Sequence, residues 1–263
     1  MKVVLFCGGL GMRLRDDSGS VPKPLVNVGN RPILWHVMKY YAHFGHKDFI
    51  LCLGWQATAI KNYFLNYDEC TSNDFILSGG GAEVTLLNRD IHDWNITFVD
   101  TGVNASVGER LRAVREHLKG EEVFFANYTD GLTDLHLPRL LEVWNATKPV
   151  GLFVSVHPRH QTFHAVEPGD DGLVRSIRPV RDSDLWLNGG FYVFRQEIFD
   201  FLHEGEELVD APFQRLIAAS QLRTLRYDGF WACMDTYKER AMLEDMIAAG
   251  NAPWEVWRDR SGK

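Results

Sequence analysis

The sequence predicts an α/β protein: a doubly wound, mixed but mostly parallel sheet in three layers, with helices on both faces. Three observations carry that reading. Compact apolar runs of strand length, such as Lys2-Val-Val-Leu-Phe-Cys7 and Phe49-Ile-Leu-Cys-Leu53, resemble strands buried on both faces. Segments with apolar residues at helical spacing lie between those runs, the alternation that builds parallel crossover units. Both runs end in glycine, at Gly8 and Gly54, where the chain turns beyond the carboxyl end of a strand.

The elements follow in order. After the first strand and its glycine loop, Asn30 is placed to cap a helix in which Pro32 costs little, and Ile33, Leu34, Val37, Met38 and Tyr41 recur on a core-facing side. The strand Phe49-Ile-Leu-Cys-Leu53 precedes a helix over 58–64. The stretch 68–95, interrupted by Ser78-Gly-Gly-Gly81, reads as a β-hairpin, part of a lid-like excursion around 68–105. Ile96-Thr-Phe-Val99 is a strand, 100–108 a loop, and Val107, Leu111, Val114 and Leu118 mark a helix. The strand Val123-Phe-Phe-Ala126 runs into Tyr128-Thr-Asp130-Gly131. From about 150 the chain is more β-rich. Helices are expected over 137–144, 198–202, 212–219 and 237–249, and strands over 151–156, around Ala165 and Val174, and over 191–194 and 223–227. With no linker-like stretch and no internal repeat, a single domain over 1–263 is the simplest organisation.

Composition narrows function. A net charge of −7 argues against broad electrostatic binding to nucleic acid or anionic membranes, so an anionic ligand must meet a local cationic cluster or a metal. No segment approaches the ~18 apolar residues of a membrane span, and a cytoplasmic location is expected. The four cysteines, Cys7, Cys52, Cys70 and Cys233, are widely spaced, and Cys7 and Cys52 read as buried free thiols.

The loop Gly8-Gly-Leu-Gly-Met-Arg-Leu14 with Val21-Pro-Lys-Pro-Leu25 reads as a triphosphate site: bare backbone N–H groups approach a phosphate while Arg13 and Lys23 neutralise it. It lacks the third glycine of a dinucleotide fingerprint and the Gly-Lys-Ser/Thr of a P-loop, and a plain strand-to-helix turn stays open beside the functional reading. Asp130, at the end of an apolar strand and followed by glycine, suits Mg²⁺ or an Asx turn. Asp235, ahead of a helix, suits the same metal or a helix cap. Arg110, in the first turn of its helix, is a mildly unfavourable cation there and hints at an anionic partner. His157, His160 and His164 fit no metal spacing. Hydrolase motifs of the Gly-x-Ser-x-Gly and His-Glu-x-x-His types are missing from the sequence.

These segments together resemble the sugar-1-phosphate nucleotidyltransferases, and among them the glucose-1-phosphate cytidylyltransferases. The likeness rests on the Gly8 to Arg13 loop with Lys23-Pro-Leu, Val99-Asp-Thr-Gly102 leading to Gly108-Glu-Arg110, Tyr128-Thr-Asp130-Gly, Asn188-Gly-Gly-Phe191 and Met234-Asp235-Thr. It extends to Ile33-Leu-Trp-His36, Trp94-Asn-Ile-Thr97 and Ala252-Pro-Trp-Glu-Val-Trp257. The resemblance implies a Rossmann-like nucleotidyltransferase fold with a small β insertion, and a homo-oligomer. It implies an enzyme that takes CTP and a phosphorylated acceptor with Mg²⁺ and releases pyrophosphate and a CDP-linked product.

On matched positions Gly8, Gly9, Leu10, Gly11, Met12, Arg13 and Lys23 would hold the triphosphate, with Arg13 and Lys23 catalytic. Ala105, Arg110 and Thr129 would contact nucleotide, and Asp130 and Asp235 would bind Mg²⁺. Asn188 and Gly189 would face the acceptor, with His164 and Arg178 beside it. Family members carry Glu-Lys-Pro before the Asn-Gly-Gly segment; here Ile177-Arg178-Pro179 stands there. Arg178 can pair with a phosphate, but Ile177 accepts no hydroxyl hydrogen bond. With His164 and Thr129, this departure predicts a phosphorylated sugar or small molecule other than glucose 1-phosphate. Unaltered glucose 1-phosphate specificity, a catalytically silent nucleotide-binding homologue and a nucleotide-sugar glycosyltransferase are the alternatives.

Overall fold

The computed structural model describes residues 1–9, 21–159 and 163–258. β1 (Val3–Phe6) opens the chain, and the short strands β2 (Asn27–Val28) and β3 (Arg31–Pro32) pair antiparallel ahead of α1 (Ile33–His43). β4 (Asp48–Leu53) is followed by α2 (Ala57–Leu65), the single turn α3 (Glu69–Ser72) and a hairpin of β5 (Phe75–Ser78) with β6 (Glu83–Leu86). β7 (Asn95–Asp100) leads to α4 (Val107–Ala113), then β8 (Val123–Tyr128), β9 (Gly131–Thr133), α5 (Leu137–Thr147) and β10 (Gly151–Val156). A second hairpin joins β11 (His164–Pro168) and β12 (Val174–Pro179). β13 (Leu187–Asn188), β14 (Tyr192–Arg195), α6 (Ala211–Ala218), β15 (Leu222–Tyr227), β16 (Trp231–Cys233) and α7 (Tyr237–Ala248) complete the order.

Eight strands form the central sheet. β7, β4, β1 and β8 run parallel side by side; β14 inserts antiparallel between β8 and β10, and β15 pairs parallel with β10. Alternation along β1 shows how the layers arise. Val3 and Leu5 pack with Leu34, Val37, Met38 and Tyr41 of α1, while Val4 and Phe6 pack with Leu111 of α4 and Phe213 and Leu216 of α6. Helices therefore cover both faces, as the continuous apolar strands require, and the expected mixed, doubly wound α/β fold is present. No helix among the described residues is long and apolar enough to cross a membrane.

Local departures have physical causes. α1 starts at Ile33 rather than being capped by Asn30, because Arg31 and Pro32 are drawn into the β2–β3 ladder and Gly29, at φ +66°, makes the turn. The helix expected to reach Leu118 stops at Ala113 and resumes as a 3₁₀ turn over Arg115–Leu118. The segment 198–202 is a 3₁₀ turn over Gln196–Asp200. In the excursion, the β5–β6 hairpin is present, and its Phe75, Ile76, Leu77 and Val84 are exposed. Cys7 and Cys52 are buried free thiols, and burial pushes the Cys52 thiol up to about 12.

Candidate active site

A cavity of about 590 Å³ opens beyond the carboxyl ends of β1 and β8 and beside the 103–107 segment that follows β7, the position at which open α/β sheets collect ligands. Gly8, Gly9, Lys23, Ala105, Arg110, Thr129, Asp130 and Asp235 all border it, drawn from segments more than two hundred residues apart. Leu10, Gly11, Met12 and Arg13 lie outside the described residues.

The two carboxylates meet through a small ladder. β9 and β16 pair antiparallel with Gly131 opposite Cys233, and Met234 N–H donates to Asp130 O at 2.9 Å, which sets Asp130 beside Asp235. Asp235 is not the helix cap that its position suggested. Thr236 caps α7 in a capping box with Glu239, whose carboxylate also accepts from Asp235 N–H at 2.7 Å. Its own side chain is thereby left to face the cavity. Lys23, in a 3₁₀ turn over Lys23–Leu25, points its Nζ at both acids, 2.5 Å from Asp130 Oδ2 and 2.5 Å from Asp235 Oδ1. Burial alone would lower the Lys23 pKa, but the two aspartates outweigh it and hold the ammonium above its ordinary value.

Two carboxylates converging on one cation suit Mg²⁺, which takes one or two protein carboxylates and fills its shell with water and phosphate oxygens. The described residues hold no cluster of three or more His, Cys, Asp or Glu placed to bind a metal, so a cation here would need those further oxygens. The donor set fits a nucleotide-dependent Mg²⁺ site.

Arg110 answers the hint of an anionic partner differently. It is 3% exposed, and its guanidinium donates to Leu53 O at 3.1 Å, Thr101 Oγ1 at 2.7 Å, Gly102 O at 2.9 Å, Gly8 O at 3.0 Å and Val103 O at 3.3 Å. Backbone carbonyls from three strand ends thus offset its charge. The same guanidinium explains Gly8: a Cβ there would lie 2.0 Å from Arg110 Nη1. At the start of α4, Ser106 and Glu109 form a capping box, and Glu207 accepts from Val107 N–H at 3.1 Å. Sequence reading missed Glu207 and Tyr128 as cavity residues. Glu207 carries no local signal, whereas Tyr128 stands two residues before Asp130 at a strand end.

The acceptor-side residues are arranged otherwise, and none of the four borders the cavity. In the β11–β12 ladder His164 is opposite Pro179, Val166 opposite Ile177 and Ala165 opposite Arg178. Alternation therefore places His164 and Ile177 on one face and Arg178 on the other. Asn188 and Gly189 lie where β13 breaks from β14. Asn188 Nδ2 donates to Tyr192 OH at 2.7 Å, and Tyr192 OH donates to Tyr128 OH at 3.2 Å, a chain that reaches the cavity wall. His157 packs on Trp186 with ring centres 3.9 Å apart, His164 is exposed on β11, and His160 lies outside the described residues. Asp134, four residues after Asp130, accepts from Phe230 N–H at 2.8 Å and from Tyr227 OH.

Comparison with known proteins bears on family and fold. A family model described as nucleotidyl transferase matches residues 2–232. A probable glucose-1-phosphate cytidylyltransferase of Bacillus subtilis is 35% identical over 259 residues, covering 98% of this chain and all of that protein. A glucose-1-phosphate cytidylyltransferase of Salmonella typhi is 35% identical over 260 residues, with coverage of 98% and 100%. Among solved structures, a putative glucose-1-phosphate thymidylyltransferase from Bacillus anthracis superposes with a TM-score of 0.66 at 14% identity, covering 100% of this chain and 98% of that one, a likeness of fold.

Proposed function

The chain belongs to the nucleotidyl transferase family, and from that premise we propose that it is a Mg²⁺-dependent cytidylyltransferase acting on CTP and a phosphorylated acceptor. The products are pyrophosphate and a CDP-linked compound. The observation that supports this best is the convergence of Lys23, Asp130 and Asp235 on a cavity whose other wall is the Gly8-Gly9 backbone.

In this reading the Gly8 and Gly9 amides and Lys23 cradle the triphosphate, and Arg13 stabilises the departing pyrophosphate. Asp130 and Asp235 would hold Mg²⁺, which when bound would withdraw charge from the phosphate oxygens. An acceptor phosphate oxygen attacks the α-phosphorus in line, so the protein supplies alignment and charge rather than a nucleophile. Thr129 and the backbone near Ala105 line the nucleotide side. Arg110 acts by fixing the loops around it. Asn188, through Tyr192, joins the acceptor side to Tyr128 on the nucleotide wall. We place the enzyme in the cytoplasm as a homo-oligomer.

Two acceptors compete. The cytidylyltransferase relatives favour glucose 1-phosphate, whereas Ile177 and His164, sharing one face of the β11–β12 ladder, favour a different phosphorylated sugar or small molecule. Pyrophosphate release, measured for each nucleoside triphosphate against a panel of phosphorylated sugars and metabolites, decides between them. Turnover with CTP and with no hexose phosphate supports the altered acceptor; efficient use of glucose 1-phosphate overturns it. Asp130→Asn and Asp235→Asn should each lower turnover roughly a hundredfold or more. Activity near wild type in both would remove the metal assignment, and sugar transfer without pyrophosphate release would favour a glycosyltransferase.

A further inference from the structure

Lys23 has one amine for two partners. Its Nζ stands 2.5 Å from Asp130 Oδ2 and 2.5 Å from Asp235 Oδ1, so a single ammonium fills the space that both carboxylates enclose. We propose that Lys23 is the resident counter-ion of this carboxylate pair, that it must leave both aspartates before a divalent cation can take them, and that triphosphate draws it away. The proposal rests on the nucleotidyl-transfer reading of the site.

Three features carry it. Mg²⁺ binds carboxylate oxygens at about 2.0–2.1 Å, a shell that leaves no room for an ammonium between the same two oxygens. Charge makes the process an exchange: both cations together would repel at contact distance, and the two carboxylates with neither would face each other unscreened in a half-buried pocket. Lys23 can make the move with its side chain alone. Its backbone is held by Leu25 N–H to Pro22 O at 2.8 Å and Val26 N–H to Lys23 O at 3.1 Å, while its stem is flexible and borders the same cavity as Gly8 and Gly9. A triphosphate on that glycine loop offers Lys23 new anionic partners and gives the divalent cation its missing oxygens. Nucleotide and metal are then coupled through one side chain.

The test is direct binding of Mn²⁺ without nucleotide, read from the electron paramagnetic resonance signal of the free ion. Wild type should bind weakly, Lys23→Gln at least tenfold more tightly, and Lys23→Arg, which returns a cation to the carboxylates, close to wild type. Equal affinity of Lys23→Gln and wild type overturns the proposal. Should Lys23→Gln fail to fold by circular dichroism, the wild-type protein still decides. Acetic anhydride labelling of Lys23, followed by mass spectrometry, should accelerate at saturating Mg²⁺ without nucleotide, and a rate unchanged by Mg²⁺ rejects the exchange. Neither readout needs turnover. A chain that releases no pyrophosphate from CTP sinks the cytidylyltransferase reading alone, and one that turns over while Lys23→Gln gains no affinity sinks the exchange alone.

Discussion

Arg110 and Gly8 show how far a residue's role depends on partners remote in sequence. A cation in the first turn of a helix after a polar loop looks like an anion binder, and nothing local says otherwise. The five acceptors that occupy it come from Gly8, Leu53 and the 101–103 segment, contacts that only the assembled sheet creates. Gly8, by contrast, is legible in the sequence as a necessary glycine, but the sequence shows only one of the two demands on it. Its small size admits the guanidinium as well as leaving its backbone open to a ligand. Gly8→Ala tests this. The added methyl would displace the guanidinium and strand buried carbonyls, costing roughly 2–4 kcal/mol, since a hydrogen bond to a charged group contributes about 1.5–3 kcal/mol. The urea midpoint should fall accordingly; a wild-type midpoint would mean that Arg110 is not held through this contact.

Among the elements, the break between β13 and β14 sets the position of Asn188 and Gly189. β10 pairs Ser155 with Asn188 and Val156 with Leu187, but Gly151 with Phe194 and Leu152 with Val193, a register two residues out of step. The slack is taken up at 189–191, where Gly190 has φ +76° and Phe191, a bulky side chain 2% exposed, has φ +52°. Asn127 holds the bulge. Its Oδ1 accepts from Phe191 N–H at 2.9 Å and from Tyr128 N–H at 2.9 Å, tying the bulge to the end of β8, two residues before Asp130. The sequence announced a strand over 191–194 and an Asn-Gly-Gly segment of interest. It did not announce the bulge, because glycine doublets are equally at home in turns, and Phe191 gives no sign of a left-handed backbone. Asn127→Leu should cost roughly 2–4 kcal/mol by leaving one buried and one half-buried N–H group without their acceptor, each worth about 1–3 kcal/mol. Measured by denaturant unfolding, a loss under about 0.5 kcal/mol would show that the bulge stands without it.

At the scale of the whole molecule, the site depends on the chain's end closing over its beginning. α7, which starts just after Asp235, packs on the turn that follows Lys23: Glu244 accepts from Gly29 N–H at 2.9 Å, and Ile247 covers Gly29. Beyond α7, Trp254 is 1% exposed, stacks near Phe230 and donates from Nε1 to His36 Nδ1 at 3.3 Å. His36 Nε2 faces Val28 O of β2 at 2.9 Å. A neutral imidazole with its proton on Nε2 satisfies both contacts, whereas imidazolium would set N–H against the Trp254 N–H. Burial accordingly pulls the His36 pKa from its usual 6.5 down to about 4. The unfolded chain therefore binds a proton that the folded chain refuses between those values, so stability present above about pH 6.5 is lost as pH falls towards 4. One such proton contributes a slope of about 1.4 kcal/mol per pH unit, some ~3 kcal/mol in all. His46, also pulled by burial to about 4, adds a slope in the same direction. Urea unfolding at pH 7.5, 6 and 5 should show wild type losing stability more steeply than His36→Gln, with the residual slope of the variant owed to His46 and other groups. Parallel slopes would mean that protonation of His36 does not loosen the contact between the C-terminal segment and the strand that follows Lys23.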